Sequence, residues 1–406
     1  MFKGKDKKSA PAEPVDQKPS VIELVDKFIK DAYELQSSDI HINPAADNVR
    51  VRYRVDGVLR NIENLPKEQH SEVVSRIKIL SGLRTDEHQM SQDGRFRTKV
   101  GGKQVDVRVS VVPSYYGENI VLRLLADKEE DFTLASLGFG NKDIEKIKKA
   151  IKKPSGMILV TGPTGSGKTT TLYTLIKMLN NEGVAIVTIE DPIEYAIENI
   201  EQIQVNPRRG LTFATGLRSI LRQDPNIIMV GEIRDTETAG IAVNTALTGH
   251  LLLSTLHTND SVSTLPRLLD MGIESYLVAS TVSLVIGQRL VRKICSDCKE
   301  EREVTEGERE SLAEVLRPEL LGDVKKFYHG KGCDSCLNSG YKGRVVINEI
   351  LVSDDDIHEL ILKKASVNEI RRAAIKNGMT QMIEDGFNKV KDGVTTMEEV
   401  LRVVHE

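Results

Sequence analysis

The run Gly162-Pro163-Thr164-Gly165-Ser166-Gly167-Lys168-Thr169 has the residue types and spacing, G-x-x-x-x-G-K-[ST], of a loop that cradles phosphates. Glycines let successive backbone N–H groups converge on phosphate oxygens, a helix N-terminus adds a favourable dipole, and Lys168 reaches the β- and γ-phosphates. Gly162, Thr164, Gly165, Ser166, Gly167, Lys168, Thr169 and Thr170 are therefore the candidate ATP-binding residues, with the Thr169 hydroxyl placed for Mg2+. A plain glycine-rich turn is the competing reading. It is disfavoured by context, because an apolar run precedes the loop and a helical pattern containing Thr171, Leu172, Leu175 and Ile176 follows it.

Hydrolysis needs a carboxylate near the metal and a group that orients the attacking water. Two apolar runs end in suitable acids, Val187-Thr188-Ile189-Glu190-Asp191 and Ile228-Met229-Val230-Gly231-Glu232. The second has glycine where a magnesium-side aspartate would ordinarily stand, and spacing alone does not divide the roles between them. His257 closes a third run, where it either contacts the γ-phosphate or serves as a satisfied structural histidine. Arg218, Arg222 and Arg234 flank the second acidic run, placed either to offset charge at the phosphates or to pair with Asp224 and Asp235.

A second chemistry lies further along. Cys295 and Cys298, then Cys333 and Cys336, are the chain's four cysteines and form two C-x-x-C knuckles, the pattern of a structural Zn2+ site. Redox dithiols are the alternative, but no thioredoxin-like βαβ pattern surrounds either pair.

These residues need elements to hold them. At 406 residues the chain exceeds one ordinary core, so two or three domains are expected. Residues 1–20 hold five lysines and three prolines among few large apolar residues, and read as a disordered tail. From Ser20, a plausible N-cap, Val21, Val25, Phe28, Ala32 and Leu35 recur at helical spacing. From Val49 the period becomes two, with Asp56-Gly57 as a hairpin turn, and alternation returns at Val105–Val111 and Ile120–Leu125, with a helix near 71–83 between. Residues 21–125 thus form an α+β domain, and the acidic stretch 126–132 suits a linker. The apolar runs Met157–Val160, Val184–Ile189, Ile227–Val230 and Leu251–Leu256 alternate with helical segments, as in a parallel α/β core expected from 133 to about 290. The cysteines fall in a charged, helical insert (291–350), and a helical tail runs from 354 to 406.

A net charge of -4, from 56 basic and 60 acidic residues, gives no global attraction to nucleic acid, and with 4% aromatics and no tryptophan a stacking groove is not expected. No apolar stretch is long enough to span a membrane, and the lysine-rich start lacks a signal-peptide core, so a cytoplasmic location is expected.

Taken together, these motifs resemble the type II secretion and type IV pilus assembly ATPases, over residues 21 to about 400. The marks are Ser38-Asp39-Ile40-His41-Ile42, Arg52-Tyr53-Arg54-Val55-Asp56-Gly57, the phosphate loop and the "aspartate box" Thr188-Ile189-Glu190-Asp191-Pro192-Ile193-Glu194-Tyr195. To these are added the atypical Walker B Val230-Gly231-Glu232-Ile233-Arg234-Asp235 and the "histidine box" from Thr248-Gly249-His250 through Leu256-His257-Thr258. The resemblance implies a PAS-like N-terminal domain joined flexibly to a RecA-like ATPase domain, in a homo-hexameric ring that drives an inner-membrane platform protein. By the same resemblance Glu190 is the general base, Glu232 lies on the magnesium side and His257 contacts the γ-phosphate. Arg95 and Arg108 match arginines that the N-terminal domain contributes to the nucleotide site, and Arg218, Arg222 and Arg234 match basic residues around it. Tetracysteine modules mark many extending and secreting members, whereas retraction members lack them, so assembly is favoured over retraction, and the complete acidic and arginine boxes weigh against a scaffold with little turnover. Many relatives carry a further N-terminal docking domain. Here about 20 residues precede the shared region, which puts the usual recruiting contact in doubt.

Overall fold

The computed structural model describes residues 20–126, 132–322 and 324–405. The expectations for residues 1–19 and 127–131 lie outside this set. The chain divides into two compact units, Met1–Lys128 and Glu129–Glu406.

In the first unit Ser20 caps the helix Val21–Glu34: its hydroxyl accepts from the Glu23 N–H, and the Glu23 carboxylate accepts the Ser20 N–H at 2.9 Å. Six antiparallel strands follow, β1 (Asp39–Pro44), β2 (Asn48–Val55), β3 (Val58–Pro66), β4 (Gln92–Val100), β5 (Lys103–Ser114) and β6 (Gly117–Ala126), in the order β3-β2-β1-β6-β5-β4. Asp56 and Gly57 take φ of 49° and 85°, as a tight β2–β3 turn requires. One face of the sheet buries Ile40, Val51, Tyr53, Val107, Val109 and Leu122 against the Val21–Glu34 and His70–Leu80 helices. Tyr53 donates its hydroxyl to the Phe28 carbonyl at 3.0 Å, tying sheet to helix. The other face is basic. Its cross-strand row runs Arg54, Asp39, Arg123, Arg108, Arg95, and Asp39 sits between Arg54 at 3.5 Å and Arg123 at 2.9 Å.

The second unit is built on a seven-stranded sheet of β7 (Gly156–Thr161), β8 (Ile186–Glu190), β9 (Glu201–Gln204), β10 (Ile227–Val230), β11 (Leu251–Leu256), β12 (Val282–Ile294) and β15 (Tyr341–Val352), ordered β15-β12-β7-β11-β10-β8-β9. All neighbours are parallel except β12 with β15. Alternate residues of each central strand enter separate apolar clusters: Met157 and Leu159 on one side, Ile158 and Val160 on the other. Burial on both faces explains why these strands read as unbroken apolar runs.

The sheet does not end near residue 290. β12 continues to Ile294, and β15 returns along it from Tyr341 to Val352, so the cysteine segment is an insertion at the tip of a long hairpin. That hairpin is hard to read because Gln288, Arg289 and Arg292 interrupt its apolar pattern, and each is largely buried. The insert itself holds a two-stranded ribbon, β13 (Lys299–Glu303) with β14 (Lys326–Gly330), besides the expected helical residues Glu306–Val315. Four helices close the chain: Asp355–Leu362, Val367–Lys376, Met382–Lys391 and Met397–His405. Among the described residues, no helix is long and apolar enough to cross a membrane.

Glu399, on the last helix, fastens that helix to β12. Its buried carboxylate accepts from Arg292 at 2.5 Å and Arg402 at 2.9 Å. Burial alone would raise the Glu399 pKa, but these hydrogen bonds outweigh it and hold the carboxyl at about 2. A depressed carboxyl stabilises the fold above its ordinary value of 4.5 and loses that contribution as pH falls toward 2. Glu399→Gln should therefore cost about 3 kcal/mol at neutral pH. Thermal unfolding followed between pH 7 and pH 2 should converge with wild type at the acid end; parallel curves would refute the assignment.

Candidate functional site

β7 delivers the phosphate loop and the Lys168–Leu179 helix carries it away. Gly162, Gly165 and Gly167 all have positive φ, of 144°, 81° and 86°, which side chains rarely adopt. A Cβ on Gly162 would also come within 2.3 Å of the Gln288 carbonyl oxygen, so glycine is required there twice over. Lys168 folds back to donate to the carbonyls of Gly162 at 2.8 Å and Pro163 at 3.0 Å. Burial lowers its pKa, and Glu232 is the charge that opposes the shift. Thr164, Gly165 and Thr169 are exposed and Thr170 is half-buried, whereas the Ser166 hydroxyl is buried with no partner among the described residues. Loop N–H groups at a helix N-terminus, three glycines in left-handed geometry and a lysine within the loop fit a bound polyphosphate.

The strands beside the loop end in register. Thr161 pairs with Leu256, Ser254 with Val230, and Val230 with Ile189, so Gly162, His257, Glu232 and Asp191 all leave the sheet at one carboxyl edge. This is where open α/β sheets bind ligands. Glu232 accepts from Arg234 at 2.6 Å and from His257 Nε2 at 3.0 Å. Burial alone would raise its pKa, but those two bonds outweigh it and the carboxyl is lowered. Gly231 has a structural reason to be glycine: its N–H donates to the Ile189 carbonyl at 2.8 Å, and a Cβ would press on that oxygen at 3.3 Å. The arginines do not pair with Asp224 or Asp235. Arg218 meets Glu237 at 2.8 Å, Arg222 donates to the Arg218 carbonyl at 3.0 Å, and Asp235 caps the Thr236–Leu247 helix.

Glu190 has a different setting. It is 3% exposed, and its carboxylate accepts from the Tyr173 hydroxyl, from Thr188 at 2.6 Å and from Gln202 at 3.1 Å. Burial, then the Glu190 carboxylate, push the Tyr173 phenol up, so Tyr173 remains the donor. His250 stands at the opposite end of β11 from His257, with Nδ1 3.2 Å from the Thr245 carbonyl, and takes no place at this edge. Arg95 and Arg108 belong to the first unit. They face each other across β4 and β5 and, with Asp93, Ser110, Val121 and Arg123, line a cavity of about 580 Å³.

Two residues that matter here escaped the sequence reading. Tyr173 is one. The other is Gln288, fully buried on β12, whose amide donates to the Ser166 carbonyl at 2.8 Å and accepts from the Thr171 hydroxyl at 2.8 Å. It braces the phosphate loop from behind. The available signal was a polar residue inside an apolar strand run, after Gly287.

The four cysteine sulfurs lie within 4.8 Å of one another. Cys295–Cys333 and Cys298–Cys336 are 3.9 Å apart and Cys333–Cys336 3.7 Å. Zn–S bonds of about 2.3 Å in a tetrahedron place sulfurs about 3.8 Å apart, so the set fits a closed metal site. Burial opposes ionisation of Cys336, but N–H groups of Cys333 and Gly340 at 3.2 and 3.3 Å outweigh it and bring that thiol down to about 6.

The family model described as "Type II/IV secretion system protein" matches residues 14–402. Type II secretion system protein E of Xanthomonas campestris pv. campestris is 47% identical over 386 residues, covering 95% of this chain and 68% of that protein. Type IV pilus assembly ATPase PilB of Myxococcus xanthus is 44% identical over 391 residues, covering 96% and 69%. Among solved structures, the pilus retraction motor PilT with bound ADP is similar at 27% identity and a TM-score of 0.61, covering 93% of this chain and 96% of that one.

Gln288→Leu leaves the Ser166 carbonyl and the Thr171 hydroxyl buried without a partner. A stability loss of about 1–3 kcal/mol and ADP binding weakened by roughly tenfold are expected. Thermal unfolding and ADP titration measure both, and unchanged ADP affinity would contradict the bracing role.

Proposed function

The chain belongs to the Type II/IV secretion system protein family, and from that premise we propose that it is a motor ATPase assembling a type IV pilus or a type II secretion pseudopilus. The fold is α/β with a RecA-like core, and the activity is hydrolysis of ATP to ADP and phosphate. The observation that carries the reading is the convergence of the phosphate loop, Glu232 and His257 at one sheet edge. Assembly or secretion is preferred to retraction for two reasons. The named relatives at 44–47% identity are secretion and pilus assembly proteins, while the retraction motor stands at 27%. The clustered cysteines also fit the tetracysteine module of extending members.

At the site, Lys168 exchanges the carbonyls of Gly162 and Pro163 for phosphate oxygens, a stronger charge-assisted bond. Thr169 and Glu232 would hold magnesium, which offsets charge developing on the phosphates when bound. Glu232 orients His257 through Nε2, leaving the imidazole directed by a fixed hydrogen bond toward the γ-phosphate end. Glu190 serves as the general base. Because its carboxylate is occupied by Tyr173, Thr188 and Gln202, it takes the proton of water only after one of these donors is released. Arg234, Arg218 and Arg222 supply positive charge nearby, and Arg95 and Arg108 of the PAS-like first unit are, by the family resemblance, further arginines for the nucleotide in the hexamer. The output is domain movement passed to an inner-membrane platform protein, with the chain held at the membrane through that partner. Cys295, Cys298, Cys333 and Cys336 hold zinc, which stabilises the insert and takes no part in the reaction.

ATP turnover of the full chain tests the assignment: Lys168→Ala and Glu190→Gln should each lower turnover about 100-fold or more. Equal rates in all three proteins would sink it. Elemental analysis should find about one zinc per chain, and Cys298→Ser should release it while ADP binding survives. A fully folded, metal-free protein would overturn the zinc assignment.

A further inference from the structure

The loop that carries His257 away from β11 is held at both ends. At its start the Thr258 N–H donates to Thr161 Oγ1 at 3.1 Å, at the end of the strand that delivers the phosphate loop. Its Oγ1 lies 2.7 Å from Thr264 Oγ1, in the helix Thr264–Asp270 that follows. Between these points is a corner, Asp260–Ser261, gripped by elements far along the chain.

Asp260 uses one oxygen to accept the Ser263 N–H at 2.7 Å. The other accepts from Arg371 at 2.6 Å, on the helix Val367–Lys376, and both side chains are more than two-thirds buried. Ser261 is fully buried, and its N–H and hydroxyl both donate to one oxygen of Glu349, at 2.8 and 2.7 Å. The second oxygen of Glu349 accepts the Met382 N–H at 3.4 Å, at the start of the helix Met382–Lys391. Glu349 lies opposite Gly287 in the β12–β15 ladder, and a Cβ on Gly287 would sit 2.8 Å from the Ser261 nitrogen. Glycine at 287 is therefore what lets the loop lie against β12. Only Thr258 and Asn259 separate His257 from Asp260, and a segment that short, pinned on both sides, transmits displacement instead of absorbing it.

We propose that Arg371 and Glu349 are positioning residues for His257, joining the loop at the γ-phosphate end of the site to the C-terminal helices so that the two shift together. The inference rests on the reading that His257 faces the γ-phosphate. A merely structural role would have Arg371 stabilise the helices with no preference for what occupies the site. The positioning role makes a narrower demand: its loss should be felt by ligands with a γ-phosphate and not by ADP.

The test uses the full chain with ADP, a non-hydrolysable ATP analogue and steady-state ATP turnover. Arg371→Ala should cut the preference for the analogue over ADP about fivefold and lower kcat about tenfold, with ADP affinity within about twofold of wild type. Arg371→Lys, which keeps the charge, should recover at least part of the loss. In a His257→Ala background Arg371→Ala should add nothing further, because a residue acting through His257 has nothing left to position. Glu349→Met, of similar length but with no oxygen to accept from Ser261, should reproduce the loss of preference and guards against an Arg371 variant that fails to fold. Additive losses in the double variant, equal weakening of ADP and analogue, or wild-type behaviour of Arg371→Ala would each overturn the proposal. A neutral His257→Ala is a different outcome: it removes the reading of His257 itself, and the positioning role with it.

Discussion

Strand register at the carboxyl edge of the second sheet is the constraint on which the rest depends. β7, β11, β10 and β8 are apolar on both faces, and slipping any of them by one residue would turn every side chain toward the wrong cluster. Packing thereby fixes where each strand stops. Because each is followed at once by a polar group, fixing the stop also places the chemistry: Gly162 after β7, His257 after β11, Gly231-Glu232 after β10 and Glu190-Asp191 at the end of β8. Hydrophobic burial is non-directional, yet through register it yields sub-residue positioning of charged groups.

Those groups satisfy one another. Lys168 is spent on the loop's own carbonyls, Glu232 on His257 and Arg234, and Glu190 on Tyr173, Thr188 and Gln202. Leaving any of them buried and unpaired would cost several kcal/mol, and these internal bonds avoid that cost. They also determine what the phosphate must displace. A neutral carbonyl is a weaker partner for an ammonium than a phosphate oxygen, so Lys168 exchanges readily. Releasing Tyr173 from the Glu190 carboxylate is harder, because the phenol donates to a charged and buried acceptor.

Much of this was legible in the sequence where chemistry demands neighbours. A phosphate loop needs its glycines and lysine within eight residues, and paired cysteines sit three apart, so both announce themselves. The continuous apolar runs of β7, β8, β10 and β11 were equally plain, since burial on both faces removes ambiguity about period. What was not legible is what distance in the chain hides. Gln288 reaches the phosphate loop across 122 residues and Arg371 reaches Asp260 across 111, and no local pattern marks either contact. β12 was missed for a related reason: Gln288, Arg289 and Arg292 look like a surface until their partners, Ser166, Thr171 and Glu399, are seen to satisfy at least the first and last of them. The setting of Glu190 lay beyond sequence altogether, because whether a carboxylate at a strand end faces water or a tyrosine is decided by packing.

The β12–β15 hairpin then takes on more than a structural meaning. Gln288 on one strand braces the phosphate loop, Glu349 on the other holds the loop after His257, and the two positions are neighbours, since Gln288 pairs with Asn348 and Gly287 with Glu349. At about 3.4 Å per residue, the tip at Ile294 and Tyr341 stands roughly 20 Å beyond them. The cysteine cluster begins at that tip, with the Cys295 N–H bonded to the Gly340 carbonyl at 2.9 Å, and the last helix grips the same strand through Arg292 and Glu399. The β12–β15 ladder is regular from Leu284 to Arg292 and shifts register between Arg292 and Ile294, so the last helix, bonded through Arg292, joins the regular part that also carries Gln288 and Glu349. That places the insert and the C-terminal helices on the same hairpin as Gln288 and Glu349, the two residues that hold the loops on either side of the phosphate-binding edge.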